Sequence, residues 1–270
     1  MTNAVLSNIH KELSLEGILF VHVNCVPSTM DTVLAEFPYL LENPDKMIAF
    51  SASAQTQGRG SHNRMWISRG NCVALSLACL LPGVESRDVE LGHVLAVSAV
   101  RVLKRLYGND EFVIKWPNDI LLRGLKVGGV LVESHASPGD FQIVVFGIGI
   151  NVDVPTAVLP ERPIWPAGSI NRILNSDQVT EDQLRREITV EFYHELASWR
   201  MVGFKSIAKA MTKDLMGLNE VVTISFVGDE ASVTGLVTGI ADNGCLRLRL
   251  GDETLRDISS GEIRFQEPTC

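Results

Sequence analysis

Gln55-Thr-Gln-Gly-Arg-Gly-Ser-His-Asn-Arg-Met-Trp66 holds two glycines, two arginines and a tryptophan, with little apolar residue before Met65. A run like this buries almost nothing, so core packing does not explain it. Glycine lets backbone approach a ligand closely. Arginine offers a planar fork that matches carboxylate and phosphate oxygens. The stretch reads as a clamp for a small anionic ligand. The alternative is a basic, solvated surface loop, and a short glycine-rich match does not separate the two.

The flanking sequence supplies a scaffold. Residues 47–54 read as a strand leading into the loop. Residues 72–81 are continuously apolar, as in a strand buried on both faces. Residues 17–26 form another strand candidate, followed by Pro27-Ser-Thr-Met-Asp31, where a hydroxyl is placed to cap a helix over 31–41. Over 88–107, Leu91, Val94, Leu95, Ser98, Val102 and Leu106 recur at helical spacing, and Gly108 ends the pattern. Strands over 112–116, 120–123, 127–134 and 142–151 follow at short intervals, which favours antiparallel hairpins. Pro155, Pro160, Pro163 and Pro166 mark an irregular connection. Thr180 opens a long helix, with Gln183 as capping-box partner. The tail has short β patterns at 221–227, 231–240, 245–250 and 263–265, with Asp242-Asn-Gly244 as a tight-hairpin signal. It reads as a small β-barrel, bridged to the main body by residues 203–217.

The chain has 270 residues, 46% of them hydrophobic, and a net charge of −8. That supports one large domain plus a small one. The acidic balance argues against general nucleic-acid binding. No apolar run approaches the roughly 18 residues of a membrane span. Residues 1–16 have neither a signal-peptide core nor an Arg-rich transit character, so a cytoplasmic location is expected, with no DNA or membrane partner. Cys25, Cys72, Cys79, Cys245 and Cys270 are scattered, with no CxxC, and read as buried free thiols. His93, inside a helical pattern, reads as structural.

Four further segments bear on the loop. Lys115-Trp-Pro-Asn-Asp119 stands at the end of a strand, where proline stops the ladder and turns Asn118 and Asp119 out of it. Lys126 precedes the pair Gly128-Gly129. Phe146-Gly-Ile-Gly-Ile-Asn151 alternates glycine with bulky residues, so one strand face has no side chains, as where a ligand or another backbone comes close. Ser28 and Thr29 place two hydroxyls at a strand-to-helix turn. Each segment has a plain reading as turn, edge or core residues. Together, in this order, they are far more specific.

In these pieces the chain resembles the biotin protein ligase family: Ser-Thr-Met-Asp (28–31), Gly-Arg-Gly through Trp66, Lys-Trp-Pro-Asn-Asp (115–119), Lys-x-x-Gly (126–129) and Gly-Ile-Gly-Ile-Asn (147–151). Asn-Gly-Cys-Leu (243–246) and Ser-Gly-Glu-Ile (260–263) resemble that family's C-terminal part. The resemblance implies an α+β fold shared with class II aminoacyl-tRNA synthetases. That is a mixed, largely antiparallel sheet with flanking helices over 1–215, and a small SH3-like β-barrel over 216–270. It implies formation of biotinyl-5'-AMP from biotin and ATP with Mg²⁺, then transfer of biotin to a lysine of a biotin carboxyl carrier domain. The segment before Gly17 is too short for a helix-turn-helix domain, so repressor function is not expected.

The resemblance also implies residue roles. Ser28, Thr29 and Gln55 bind the biotin ring, with Gly58, Gly60, Gly129 and Gly149 lining the same pocket. Arg59 and Arg64 grip carboxylate or phosphate oxygens. Trp66 supports the adenine side, and Lys115, Asn118 and Asn151 face the nucleotide. Lys126 stands between the carboxylate and the α-phosphate. Asp119 orients Mg²⁺-phosphate or the incoming amine. One departure is visible: Ser61 and Asn63 stand where many family members have arginine and glycine. This implies a looser hold on the adenylate, with His62 a partial substitute. Competing readings are a lipoate-protein ligase or octanoyl transferase, and a non-catalytic small-ligand binding module.

Overall fold

The computed structural model describes residues 10–15, 17–61, 64–68, 70–83, 88–159, 165–226 and 231–265. His62, Asn63, Pro160, Pro163, Val227 and Cys270 lie outside these residues.

The chain runs β1 (His10–Leu15), β2 (Ile18–Val26), α1 (Thr29–Ala35), α2 (Phe37–Glu42), β3 (Met47–Gln55), β4 (Asn71–Pro82) and α3 (Asp88–Tyr107). It continues with β5 (Phe112–Lys115), β6 (Asp119–Leu122), β7 (Leu125–Ala136), β8 (Phe141–Asp153), α4 (Ile170–Leu174), α5 (Glu181–Val202) and α6 (Lys205–Lys213). The tail holds β9 (Val221–Ser225), β10 (Ser232–Ile240), β11 (Leu246–Arg249), β12 (Leu255–Ile258) and β13 (Glu262–Phe265).

An eight-stranded sheet runs in the order β1-β2-β3-β4-β8-β7-β6-β5. Its neighbours are antiparallel except for β2 and β3. The short connections anticipated hairpins for β5 to β8, and those hairpins are present. Helices cover both faces, which explains the unbroken apolar run of β4. Val73, Leu75, Leu77, Cys79 and Leu81 join the core beneath α3 and α5, while Ala78 and Leu80 join the one beneath α1 and α2.

The same alternation makes a dent in the α1 side. On β8, Ile143 and Val145 fill that face, and the next residues on it are Gly147 and Gly149. Gly149 is paired with Ala74 on β4 and with Gly129 on β7, and Gly147 is paired with Ser76 on β4. Small residues on three adjacent strands thus leave a floor without side chains.

Several expectations need correction. The helix expected over 31–41 is two helices, broken at Glu36. Pro38 has no N–H to give the carbonyl four residues back, so the chain restarts. Ser28 sits at the N-cap of α1, but its side chain makes no capping hydrogen bond. Asp119 is not turned out of the ladder: it opens β6, paired with Lys115 and Gly129, and only Trp116 to Asn118 form the turn. The bridge over 203–217 contains α6, and β1, α4 and β12 were not anticipated. Of the thiols expected to be buried, Cys72 and Cys79 are, whereas Cys25, near the end of β2, is exposed and Cys245 is half-buried. The expected barrel is a five-stranded antiparallel sheet in the order β12-β11-β10-β9-β13, and among the described residues no ladder joins β12 to β13. The chain turns between these two edge strands over three residues, at Gly261 with φ 144°.

Thr180 caps α5 as its spacing predicts, with Oγ1 accepting from the Gln183 N–H at 3.2 Å. Thr180→Ala is expected to cost about 1 kcal/mol, read as a lowered denaturant midpoint at unchanged m-value. No helix among the described residues is long and apolar enough to cross a membrane.

Candidate functional site

The glycine-rich loop is a small hairpin laid over the dent. The Gly60 N–H donates to the Arg64 carbonyl (2.8 Å) and the Trp66 N–H to the Gly58 carbonyl (2.8 Å). The hairpin carries the Trp66 ring onto Gly149: a Cβ there would lie 2.2 Å from Trp66 Cε2. Met30 covers Gly147 in the same way, with Sδ at 2.7 Å from such a Cβ. The bare strand face is therefore met by side chains in this arrangement.

Between floor and flap lies a cavity of about 50 Å³. Ligand pockets run roughly 300–1,000 Å³, so Trp66 must move before a bicyclic ligand fits. Beside it opens a cleft of about 850 Å³, reaching from the flap to β13. Gly60, Ser61, Trp66, Asn118, Asp119 and Lys126 line both.

At the cavity end, Gln55 organises hydroxyls. Its Oε1 accepts from the Thr29 N–H (2.8 Å) and Thr29 Oγ1 (3.0 Å), and its Nε2 donates to Ser68 Oγ (2.9 Å). Thr29 Oγ1 also lies 2.8 Å from Ser76 Oγ. Two buried polar atoms on the wall, Ser28 Oγ and Trp66 Nε1, have no hydrogen-bond partner among the described residues. A native fold seldom leaves such atoms unpaired away from a ligand or water site.

The charged groups come from separate strands and the flap. Lys126 Nζ lies 2.5 Å from Asp119 Oδ1, and Lys115 Nζ 3.8 Å from Asp119 Oδ2. Burial pushes the Lys115 ammonium below its ordinary pKa, partly offset by Asp119 and reinforced by Lys126. Lys115 also faces the Trp165 ring at 5.2 Å. Asn118 Nδ2 donates to Ser61 Oγ (2.6 Å) and to the Val130 carbonyl (2.8 Å). Ser61 of the flap is thus tied to the Asn118 turn. Asn151 is buried, and its Nδ2 donates to the Gly168 carbonyl at 3.0 Å. Arg64 Nη1 reaches Glu262 Oε1 of β13 at 3.7 Å.

Of the residues expected at the biotin end, Ser28, Thr29, Gln55, Arg59, Gly60, Lys126, Gly129 and Gly149 line the cavity. Gly58 does not. It stands in the flap hairpin itself, opposite Trp66, where a Cβ would lie 2.5 Å from the Trp66 carbonyl oxygen. Arg64, Trp66, Lys115, Asn118 and Asn151 line the cleft, whereas Arg59, expected at both ends, lines only the cavity. Ser76, Trp165 and the β13 residues Glu262, Arg264 and Phe265 were not anticipated. Ser76 was legible as the one hydroxyl within the apolar run 72–81. The β13 residues arrive through tertiary packing, with Trp165 and Phe265 edge-to-face at 5.9 Å.

His93 supports the site from below. It is buried in α3 beside Phe204, and burial pushes its pKa down to about 3, opposed by the Pro117 carbonyl. The neutral ring is favoured in the folded state, so its contribution is present above the unfolded value of about 6.5 and is lost as pH falls toward 3. Within that window the expected loss is up to about 1.4 kcal/mol per pH unit. Denaturation of His93→Gln between pH 7 and pH 4 is expected to show a shallower pH slope than wild type.

Residues 23–151 match the biotin/lipoate A/B protein ligase family, and residues 217–265 match the biotin protein ligase C terminal domain. The biotin--[acetyl-CoA-carboxylase] ligase of Paracoccus denitrificans is 31% identical over 79% of this chain and 88% of its own length. The bifunctional ligase/repressor BirA of Bacillus spizizenii is 28% identical over 79% of this chain, which spans 65% of that relative's length. The solved biotin protein ligase of Aquifex aeolicus, in complex with biotin and ATP, superposes with a TM-score of 0.73 at 26% identity, covering 92% of this chain and 98% of that one. Together these matches place the chain in the biotin protein ligase family.

Proposed function

We propose that this protein is an ATP-dependent biotin protein ligase. In this reading the biotin carboxylate attacks the α-phosphate of ATP, releasing pyrophosphate. A lysine of a biotin carboxyl carrier domain then attacks the mixed anhydride. The observation that carries the reading is the junction of the two spaces at Lys126. A small recess lined by hydroxyls, closed down by Trp66 in this arrangement, shares that residue with a cleft lined by cations and aromatic rings.

The chemistry requires no nucleophile from the protein. It requires placement, compensation of phosphate charge and exclusion of water. Placement alone is worth roughly 7–11 kcal/mol of barrier, and fixed charges aimed at the developing negative oxygens add to it. Ser28 Oγ, Thr29 and Gln55 take the polar ring. Lys126 stands where carboxylate meets α-phosphate. Arg64, Lys115, Asn118 and Asn151 serve the nucleotide, with Trp66 and Trp165 as apolar surfaces for adenine. Magnesium enters as part of the MgATP substrate. Asp119 and Glu262 are the carboxylates lining the cleft among the described residues, and Asp119 is the one beside Lys126. The carrier-domain acceptor and a cytoplasmic location belong to the same reading.

Pyrophosphate release separates the alternatives. Release with ATP plus biotin, and not with ATP plus lipoate, is the expected result. Release with lipoate alone assigns a lipoate ligase, and release with neither assigns a binding module.

A further inference from the structure

Among the described residues, the two cations that line the cavity, Lys126 and Arg59, are already held by carboxylates, and Arg59 is held by two. Its Nη2 lies 2.8 Å from Asp31 Oδ1 and 3.2 Å from Glu133 Oε2. The two carboxylates come from different elements, Asp31 from α1 and Glu133 from β7. Glu133 lies on the strand face that carries Gly129 and Leu131, both of which line the cavity. The flap's backbone hydrogen bonds do not involve the Arg59 side chain. Its guanidinium can therefore swing without breaking the hairpin.

We propose that Asp31 and Glu133 are positioning residues that park Arg59 at the cavity rim, and that an anionic ligand must take the guanidinium from them. The inference rests on the biotin-ligase reading and deepens it, because the group that competes is the ligand's carboxylate. One guanidinium between two carboxylates leaves the rim negative before a ligand arrives. The ligand carboxylate then meets repulsion from both acids until Arg59 turns inward. The partners are partly exposed, at 39% for Arg59, 57% for Asp31 and 29% for Glu133. Pairs so exposed are weak, which suits a contact that is exchanged rather than kept. The acids thereby tune discrimination between charged and uncharged ligands, separately from the ring contacts of Ser28, Thr29 and Gln55.

Calorimetric titration of the full chain with biotin and with biotinamide tests this. Biotinamide carries the same ring and no charge. Glu133→Gln is expected to tighten biotin about threefold, and Asp31→Asn with Glu133→Gln about tenfold, with biotinamide unchanged. Glu133→Asp, which keeps the charge, is expected to restore the wild-type ratio of the two dissociation constants. A ratio unaltered in Glu133→Gln, a weaker hold on biotin, or equal tightening of both ligands overturns the proposal. Asp31→Asn alone, on an exposed helix position, carries the test if Glu133→Gln does not fold. A wild-type chain that binds neither ligand overturns the functional reading itself, and the parking proposal with it.

Discussion

Lys126→Met is expected to slow biotinyl-AMP formation at least tenfold in single-turnover assays at saturating biotin and ATP. Hydrogen bonds to charged groups contribute about 1.5–3 kcal/mol, which corresponds to roughly tenfold to 150-fold in rate. The position justifies the larger part of that range. Lys126 lines both the cavity and the cleft, and its Nζ is 2.5 Å from Asp119 Oδ1. Methionine keeps the length of the stem and removes the charge. Asp119 is then left with Lys115 at 3.8 Å as its ion-pair partner, so a carboxylate faces the phosphates with less compensation. An unchanged rate of adenylate formation removes Lys126 from the reaction.

Trp116→Ala is expected to have the largest effect on stability, about 3–5 kcal/mol. A natural domain has only about 5–15 kcal/mol in total. Trp116 is fully buried in the core that also holds Phe112, Ile114 and Ile120, and it fills the base of the turn that presents Asn118. Its indole Nε1 has no hydrogen-bond partner among the described residues. Trp116→Phe therefore gives up volume without giving up a bond, and its cost is expected to be well under half that of alanine. Urea unfolding of the three chains decides it. Equal midpoints for wild type and Trp116→Ala show that the turn is held some other way.

Much of the scaffold was legible because periodicity and punctuation agree. The helix at Asp88–Tyr107 follows from its apolar stripe and ends at Gly108, which has φ 58°. The hairpin around Asp242-Asn-Gly244 follows from its turn residues, with Gly244 at φ 81°. The break at Glu36 was present in the sequence as Pro38. The apolar spacing on either side of it is continuous, which hides the break. β12 was missed because its three leading residues are exposed, so no alternation marks it. Asp119 differs from its expected place for another reason: the proline suggests an exit from the sheet, while the Lys115–Asp119 pair closes the hairpin around it.

The candidate site divides along a similar line. Residue types, their order and the small residues that make the floor could be read along the chain, because glycine on one face of a strand leaves a recess whatever surrounds it. Partnerships could not. The chain does not announce that Arg59 rests on Asp31 and Glu133, that Ser61 is tied to Asn118, or that Glu262 reaches Arg64. Those contacts join residues remote in sequence, through hydrogen bonds and ion pairs that depend on distances of a few ångströms. Sequence alone determined the elements and the chemical inventory, since local propensity and alternation act over neighbouring residues. Only the tertiary structure decided which charges meet and where Trp66 lies, because those follow from how the sheet, the flap and the C-terminal strands pack.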